Sequence, residues 1–107
     1  MLIVMTTAPD VEEAESLAEK LVGERLAACV QVLPPMISFY VWEGAVQRAN
    51  EHLLMIKTLE DRFEAVRDLI LAQHSYDMPE IVAVNADNVS DGYLAWMTEY
   101  LSEDEAG

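Results

Sequence analysis

The chain has 107 residues, which is enough for one domain with a substantial hydrophobic core. Twenty Asp and Glu residues against six Lys and Arg residues give a formal net charge of −14, which disfavours nucleic acid or an anionic membrane surface as a partner. The acidic excess has two interpretations, attraction of cations or a solvated surface suited to high salt.

The sequence predicts no membrane span and a cytoplasmic location. Its apolar runs are far shorter than the roughly 20 residues that a spanning helix needs. The apolar segment at residues 1–5 lacks the basic region and the cleavage site of a signal peptide. Cys29 is the single cysteine, so an intramolecular disulfide framework is excluded.

The first quarter of the chain predicts a strand followed by a helix. Leu2–Thr7 is a continuous apolar run, typical of a central strand that is buried on both faces. Asp10 and Glu13 have the spacing of an N-cap and its capping partner. The apolar residues that follow repeat at helical spacing, so we expect an amphipathic helix that ends near Gly23–Arg25.

The segment from Arg25 to Thr58 predicts a long hairpin. It is rich in β-branched, aromatic and aliphatic residues, and Glu43-Gly44 is its turn-like break. Pro34-Pro35 cannot donate ladder hydrogen bonds, so the first arm divides into Ala27–Leu33 and Met36–Trp42. Such length predicts that the far end of the hairpin extends beyond its own domain.

The last part of the chain predicts helix, strand and helix. Thr58 opens a second helix that stops before Pro79, and Glu80–Val84 is a second buried strand. Ser90 caps a short final helix, and Ser102–Gly107 is an acidic tail that we expect to fray. The final helix is predicted to carry one apolar side formed by Tyr93, Trp96, Met97, Tyr100 and Leu101.

This order predicts an α+β fold, the ferredoxin-like β-α-β-β-α-β arrangement with an extra C-terminal helix, in a single domain over residues 1–107. The two main helices of that fold cover one face of the sheet. The predicted strands are apolar on both faces, so the second face needs a cover that a short helix supplies only in part. We therefore expect a homo-oligomer in which the hairpin reaches a neighbouring subunit.

Several motifs, in this order and spacing, resemble those of the CutA family of divalent-cation tolerance proteins. The motifs are Thr7-Ala8-Pro9-Asp10, Arg25-Leu26-Ala27-Ala28-Cys29-Val30, Tyr40-Val41-Trp42-Glu43-Gly44, Glu51, Lys57-Thr58, His74-Ser75-Tyr76-Asp77-Met78-Pro79-Glu80-Ile81 and Tyr93-Leu94-Ala95-Trp96. The resemblance implies a homotrimer of ferredoxin-like subunits, similar in architecture to PII signalling proteins, and a role in tolerance to copper and other divalent metals.

His74 and Cys29 are the candidate metal ligands, because imidazole and thiolate suit copper and other soft or borderline metals. The structural alternatives are a small buried cysteine and a histidine that interacts with a helix end. In the family, copper binding is associated with a Cys before the Thr-Ala-Pro-Asp motif and with a His-His pair. This chain has Thr6 at the first position and Gln73-His74 at the second.

The resemblance also implies a small-ligand cleft between subunits, as in PII-like trimers. Its candidate residues are Tyr40, Trp42, Glu43, Glu51, Lys57, Tyr76 and Glu80. The alternative is that Glu51 and Lys57 pair across an interface while the aromatic residues pack the hairpin tips.

No enzyme is predicted, because the four glycines of the chain form neither a phosphate-binding loop nor a dinucleotide-binding turn. Two classes of function stay open. The first is a metal-binding tolerance protein with copper or another divalent metal as its only possible cofactor. The second is a PII-like signalling or interaction trimer that binds a small ligand or a protein without specific metal binding.

Overall fold

The computed structural model describes residues 1–102 and contains five strands and three α-helices within them. In chain order they are β1 (Leu2–Ala8), α1 (Val11–Gly23), β2 (Cys29–Val32), β3 (Met36–Trp42), β4 (Ala45–Thr58), α2 (Phe63–Gln73), β5 (Val82–Asn85) and α3 (Asp91–Ser102). This order confirms the predicted arrangement, with the first hairpin arm divided into two strands and a helix added after the last strand. Beyond Ser102, which closes α3, the predicted frayed tail lies outside the described residues.

The strands form one antiparallel sheet in the order β2-β4-β1-β5. Val4 in the centre of β1 pairs with Ile56 of β4 on one side and with Ala83 of β5 on the other. This is the strand order of a ferredoxin-like sheet, and its two central strands are β4 and β1. β3 lies off this path and pairs with the other half of β4.

The main core lies between one face of the sheet and the helices α1 and α2. Alternate residues of the central strands point into it, because side chains alternate between the faces of a strand. Asp10 caps α1 as predicted, since its Oδ1 accepts the amide of Glu13 at 2.8 Å. The fully buried core residues include Val4, Leu17, Leu21, Leu54, Ile56, Val66 and Ile70.

The second face of the sheet is covered at one end by α3. Met97 and Leu101 are buried with Ala28 in a separate small cluster, and Tyr93 and Tyr100 are half-buried against it. Trp96 shares this side of α3, with its ring centroid 5.6 Å from that of Tyr93, but 51% of its surface is exposed. At the edge of the sheet Val82 and Val84 are exposed, although the sequence predicted a strand buried on both faces. The second face of a single chain is therefore incompletely covered.

The long hairpin extends past the rest of the sheet. β4 has 14 residues, and its second half pairs with β1 and β2 while its first half pairs with β3. Glu43 and Gly44 form the turn, and both have positive φ angles, of 52° and 79°. This backbone is that of a type I′ turn, which matches the twist of a two-residue hairpin. The described part of the molecule is elongated, with extents of 48 × 30 × 22 Å.

Two element boundaries differ from the prediction. The second helix begins at Phe63, because Thr58 is the last residue of β4 and its hydroxyl donates to the carbonyl of Leu26 at 2.6 Å. A short 3-10 turn at Glu60–Arg62 then leads into the helix. β5 begins at Val82 rather than at Glu80, since only residues from Val82 onward pair with β1. Among the described residues, no helix is long and apolar enough to cross a membrane.

Candidate functional site

A cavity of about 800 Å³ lies where the hairpin meets the loop that follows α2. Its volume falls within the usual range of small-molecule sites, roughly 300–1,000 Å³. β1 contributes its end, β3 contributes the inner side of the hairpin, and the loop contributes the opposite wall. The residues that line it are Thr7, Ser38, Phe39, Tyr40, Trp42, Glu51, Tyr76, Asp77, Met78, Pro79 and Glu80.

Glu51 is the buried acid of this cavity, with only 8% of its surface exposed. The hydroxyl groups of Thr7 and Tyr76 both donate to its Oε2, each at 3.1 Å. The register of the sheet causes the first contact, because Thr7 pairs with Leu53 and Glu51 lies two positions away on the same face of β4. The second contact depends on how the loop after α2 is held.

The other carboxylate oxygen of Glu51, Oε1, has no hydrogen-bond donor among residues 1–102, and it is not sealed from solvent. It therefore opens into the cavity that Glu51 lines. Asp77 and Glu80 add two more acids to the walls, and none of the wall residues is a Lys or an Arg. The cavity is thus lined by three acids and by no basic residue.

Tyr76 contacts Glu51 through its phenol hydroxyl group. Burial of its phenol, together with the hydrogen bond to Glu51 and the negative charge of that residue, raises the pKa of Tyr76 to about 12. The phenol therefore stays protonated at all physiological pH values. It acts as a fixed hydrogen-bond donor that holds Oε2 of Glu51.

His74 holds the loop that carries Tyr76. Its Nε2 lies 2.6 Å from the carbonyl oxygen of Thr7, which can only accept, so Nε2 carries the proton. Nδ1 then accepts the amide of Tyr76 at 3.0 Å, and the carboxylate of Glu13 accepts the amide of Ser75. The side chain of His74 is fully buried, and its ring packs 4.7 Å from that of Tyr76. Both ring nitrogens are engaged within the chain.

Cys29 lies in another part of the sheet. It is half-buried and pairs across the ladder with Lys57, which in turn pairs with Ile3 near the start of β1. His74 contacts Thr7, four positions further along β1, which corresponds to about 13 Å. The two predicted metal ligands are not brought together in one chain. Residues 1–102 contain no group of three or more His, Cys, Asp or Glu side chains arranged to hold a metal ion.

Five of the seven predicted cleft residues line the cavity, namely Tyr40, Trp42, Glu51, Tyr76 and Glu80. Glu43 instead occupies the hairpin turn. Lys57 lies about 20 Å from Glu51 along β4, and its Nζ is 5.8 Å from the centre of the Tyr93 ring. Within one chain, therefore, Glu51 and Lys57 do not pair.

Six further lining residues were not predicted, namely Thr7, Ser38, Phe39, Asp77, Met78 and Pro79. Thr7 and the loop residues belong to the family motifs named in the sequence analysis, so membership of a motif was the one signal that could have identified them. Their convergence depends on the register between β1 and β4, which a motif does not reveal.

The chain matches the family model for the CutA1 divalent ion tolerance protein over residues 2–100. It is 40% identical over 99 residues to the divalent-cation tolerance protein CutA of Pyrococcus horikoshii, and the alignment covers 92% of this chain and 96% of the relative. It is 42% identical over 96 residues to the chloroplastic protein CutA of Arabidopsis thaliana, and that alignment covers 90% of this chain and 53% of the relative. The chain thus spans about half the length of the plant relatives that it matches.

Its backbone also matches solved structures. The periplasmic divalent cation tolerance protein CutA from Archaeoglobus fulgidus has a TM-score of 0.92 and 38% sequence identity, with 95% of this chain and 100% of that chain covered. The agreement extends over nearly the whole of both molecules, including the long hairpin.

Proposed function

Because this chain belongs to the CutA1 divalent ion tolerance protein family, we propose that it is a divalent-cation tolerance protein that acts without catalysis as a homotrimeric scaffold. The observation that carries the proposal is the family match over residues 2–100, together with relatives of similar length that bear this name. The cytoplasm is the proposed location, since a lone cysteine suits a reducing compartment, although relatives also bear chloroplastic and periplasmic names.

The surface of a single chain supports self-association. Phe39, Val41 and Val46 share one exposed face of the hairpin, and Val82 and Val84 are exposed on the opposite edge strand. Exposed apolar patches that are continuous with a strand edge are typical of protein interfaces. Burial of these surfaces against two further copies would complete the cover that α3 begins on the second face.

Copper is the proposed metal, and His74 and Cys29 are its proposed ligands. The two side chains lie in different regions of one chain, so a shared ion requires ligands from more than one copy. A metal at His74 must also displace a hydrogen bond that a ring nitrogen now makes. The proposal therefore predicts that metal binding disturbs the loop that carries Tyr76.

Equilibrium dialysis of copper and zinc against the wild-type protein at physiological salt tests this function. We expect saturation at an integral ratio per trimer, with loss of binding in His74→Gln or Cys29→Ala. Glu15→Gln, an exposed position on α1, is the matched control for a change of surface charge. Uptake that does not saturate, that salt abolishes and that no variant changes would show that the acids only attract counterions.

The cavity favours a second candidate function, a PII-like trimer that binds a small ligand at each hairpin. The specific observation is the buried carboxylate of Glu51 with one oxygen open to a cavity of ligand size. This function predicts saturable binding of an organic ligand with no fixed metal stoichiometry. Dialysis against metals and calorimetry with organic ligands separate the two functions.

A further inference from the structure

We propose that the cavity around Glu51 binds a protonated organic amine, whose ammonium group donates to Oε1 of Glu51 while its apolar body packs against the aromatic wall. The inference rests on the second candidate function and names the class of ligand.

The carboxylate of Glu51 is the anchor. It is more than nine-tenths buried, and two hydroxyl donors fix its Oε2, so Oε1 has a set position and direction. A buried carboxylate without a cation is unfavourable, because burial removes water from the charge. A bound ammonium group supplies both the missing charge and the missing donor for Oε1.

The walls select an organic cation. Tyr40 and Trp42 line the cavity from the face of β3 that also carries the partner of Glu51, and Met78 adds a thioether side chain. Aromatic faces attract cations at short range and also pack against apolar groups. Asp77 and Glu80 extend the negative field, so the cavity repels anions.

A bare divalent ion fits the same cavity less well. Metal ions such as zinc need about four ligands at short distance, whereas Glu51 has already committed Oε2 to two hydroxyl groups. No cluster of three or more metal-binding side chains occurs in the described part of the chain. The aromatic residues that form much of the wall offer no metal ligands, but they contribute to binding an organic body.

Isothermal titration calorimetry with phenethylamine at neutral pH tests the inference, with 2-phenylethanol as the neutral analogue. We expect saturable binding at one equivalent per chain, and binding of the neutral analogue that is at least about 10-fold weaker, as expected for loss of a charge-assisted hydrogen bond. Intrinsic tryptophan fluorescence provides a second readout, because Trp42, one of the two tryptophans of the chain, lines the cavity.

Glu51→Gln removes the charge but keeps a carbonyl oxygen that accepts from Thr7 and Tyr76. We expect this variant to bind phenethylamine at least about 10-fold more weakly than the wild type does. Glu15→Gln should bind phenethylamine as the wild type does. If Glu51→Gln does not fold, Trp42→Leu tests the aromatic wall, with an expected loss of about fivefold for the amine. Trp42 is exposed in the single chain, so this change is compatible with folding of the chain.

Equal affinity for the amine and the alcohol, or an unchanged affinity in Glu51→Gln, would overturn the inference. So would displacement of the amine by one equivalent of zinc, because the cavity would then be a metal site. Failure here is distinct from failure of the proposed function. A trimer that binds copper but no amine overturns only this inference, and a monomer that binds the amine overturns only the trimeric scaffold.

Discussion

Two adjacent threonines on β1 have opposite hydrogen-bonding environments. Thr6 is fully buried, and its Oγ1 has no partner among residues 1–102. Thr7 is also buried, but its hydroxyl donates to Oε2 of Glu51 at 3.1 Å. Because side chains alternate along a strand, the first hydroxyl lies in the helix-covered core and the second lies at the cavity.

Replacement of each threonine by valine should therefore change stability in opposite directions. Thr6→Val removes a buried hydroxyl that has no partner, and we expect a gain of about 1 kcal/mol in the free energy of unfolding. Thr7→Val removes a donor to a buried carboxylate, and we expect a loss of about 1.5–3 kcal/mol. Urea unfolding at one fixed protein concentration measures both changes, since assembly would otherwise contribute to the midpoint.

Each variant serves as the control for the other, because the two changes are chemically identical and occur on the same strand. A loss of stability in Thr6→Val would show that this hydroxyl has a partner in the assembled protein. An unchanged stability in Thr7→Val would show that Tyr76 alone satisfies Oε2 of Glu51.

At this scale the sequence predicted residue types better than residue roles. Glu51 and Tyr76 were grouped by motif, and the structure brings both into the cavity. For His74 the sequence left two roles open, a metal ligand or a histidine that interacts with a helix end, and its role as a ligand stays a prediction. Its observed contact, which holds the loop of Tyr76, was not predicted, because it joins His74 to Thr7, 67 positions apart, and no local pattern contains that information.

At the scale of elements, the hairpin turn carries conformational strain at one position. Glu43 has a φ angle of 52°, in the left-handed region that disfavours residues with a side chain other than Asn or Asp. Gly44, at 79°, occupies the same region without this cost. An added Cβ at Gly44 would meet no atom within 4 Å, so only backbone conformation opposes a substitution there.

Substitutions in the turn should follow this conformational preference. We expect Glu43→Asn to raise the free energy of unfolding by about 0.5 kcal/mol and Gly44→Ala to lower it by about 1 kcal/mol. Glu43→Gln is the control, because it removes the same charge without easing the positive φ angle. Thermal unfolding of the three variants measures the effect, and equal gains for Asn and Gln would identify charge rather than conformation as the cause.

Local signals predicted the elements whose boundaries depend on neighbouring residues. The cap at Asp10, the break at Pro34-Pro35 and the turn at Glu43-Gly44 all act within a few residues, and the structure confirms them. The start of α2 was predicted too early, because Thr58 is held in β4 by pairing with Leu2. β5 begins at Val82 and not at Glu80 because its pairing with β1 stops at Met5, although β1 continues to Ala8. These two boundaries are set by tertiary contacts rather than by propensity.

At the scale of the whole molecule, one chain is more extended than a compact domain of its length. The radius of gyration is 14.7 Å, compared with about 13 Å for a compact chain of this length. The hairpin accounts for the excess, since within residues 1–102 β3 pairs with the first half of β4 and with no other strand. Val41 and Val46 face each other at the tip of the hairpin, and 69% and 73% of their surfaces are exposed. Exposure of such an apolar pair to water is unfavourable, and burial against a neighbouring molecule would remove that surface from water.

Charge opposes this assembly, since each chain carries −14 and a trimer concentrates three such charges. Repulsion among surface charges extends over about 30 Å at 0.01 M salt but only about 8 Å at physiological salt. We therefore expect sedimentation equilibrium to give a trimer mass at physiological salt and a lower average mass at millimolar salt. A trimer mass that does not change at millimolar salt would contradict the role of self-repulsion.

Val41→Lys separates the apolar contribution from the electrostatic one. The added lysine lowers the negative charge of each chain, so electrostatics alone would strengthen assembly, whereas loss of the buried apolar contact would weaken it. We expect Val41→Lys to sediment mainly as a monomer at physiological salt. Leu71→Lys, at a half-exposed position on the outer side of α2, makes the same charge change and should remain a trimer. If both variants stay trimeric, the hairpin tip is not the interface, and the open face beside Val82 and Val84 must supply it.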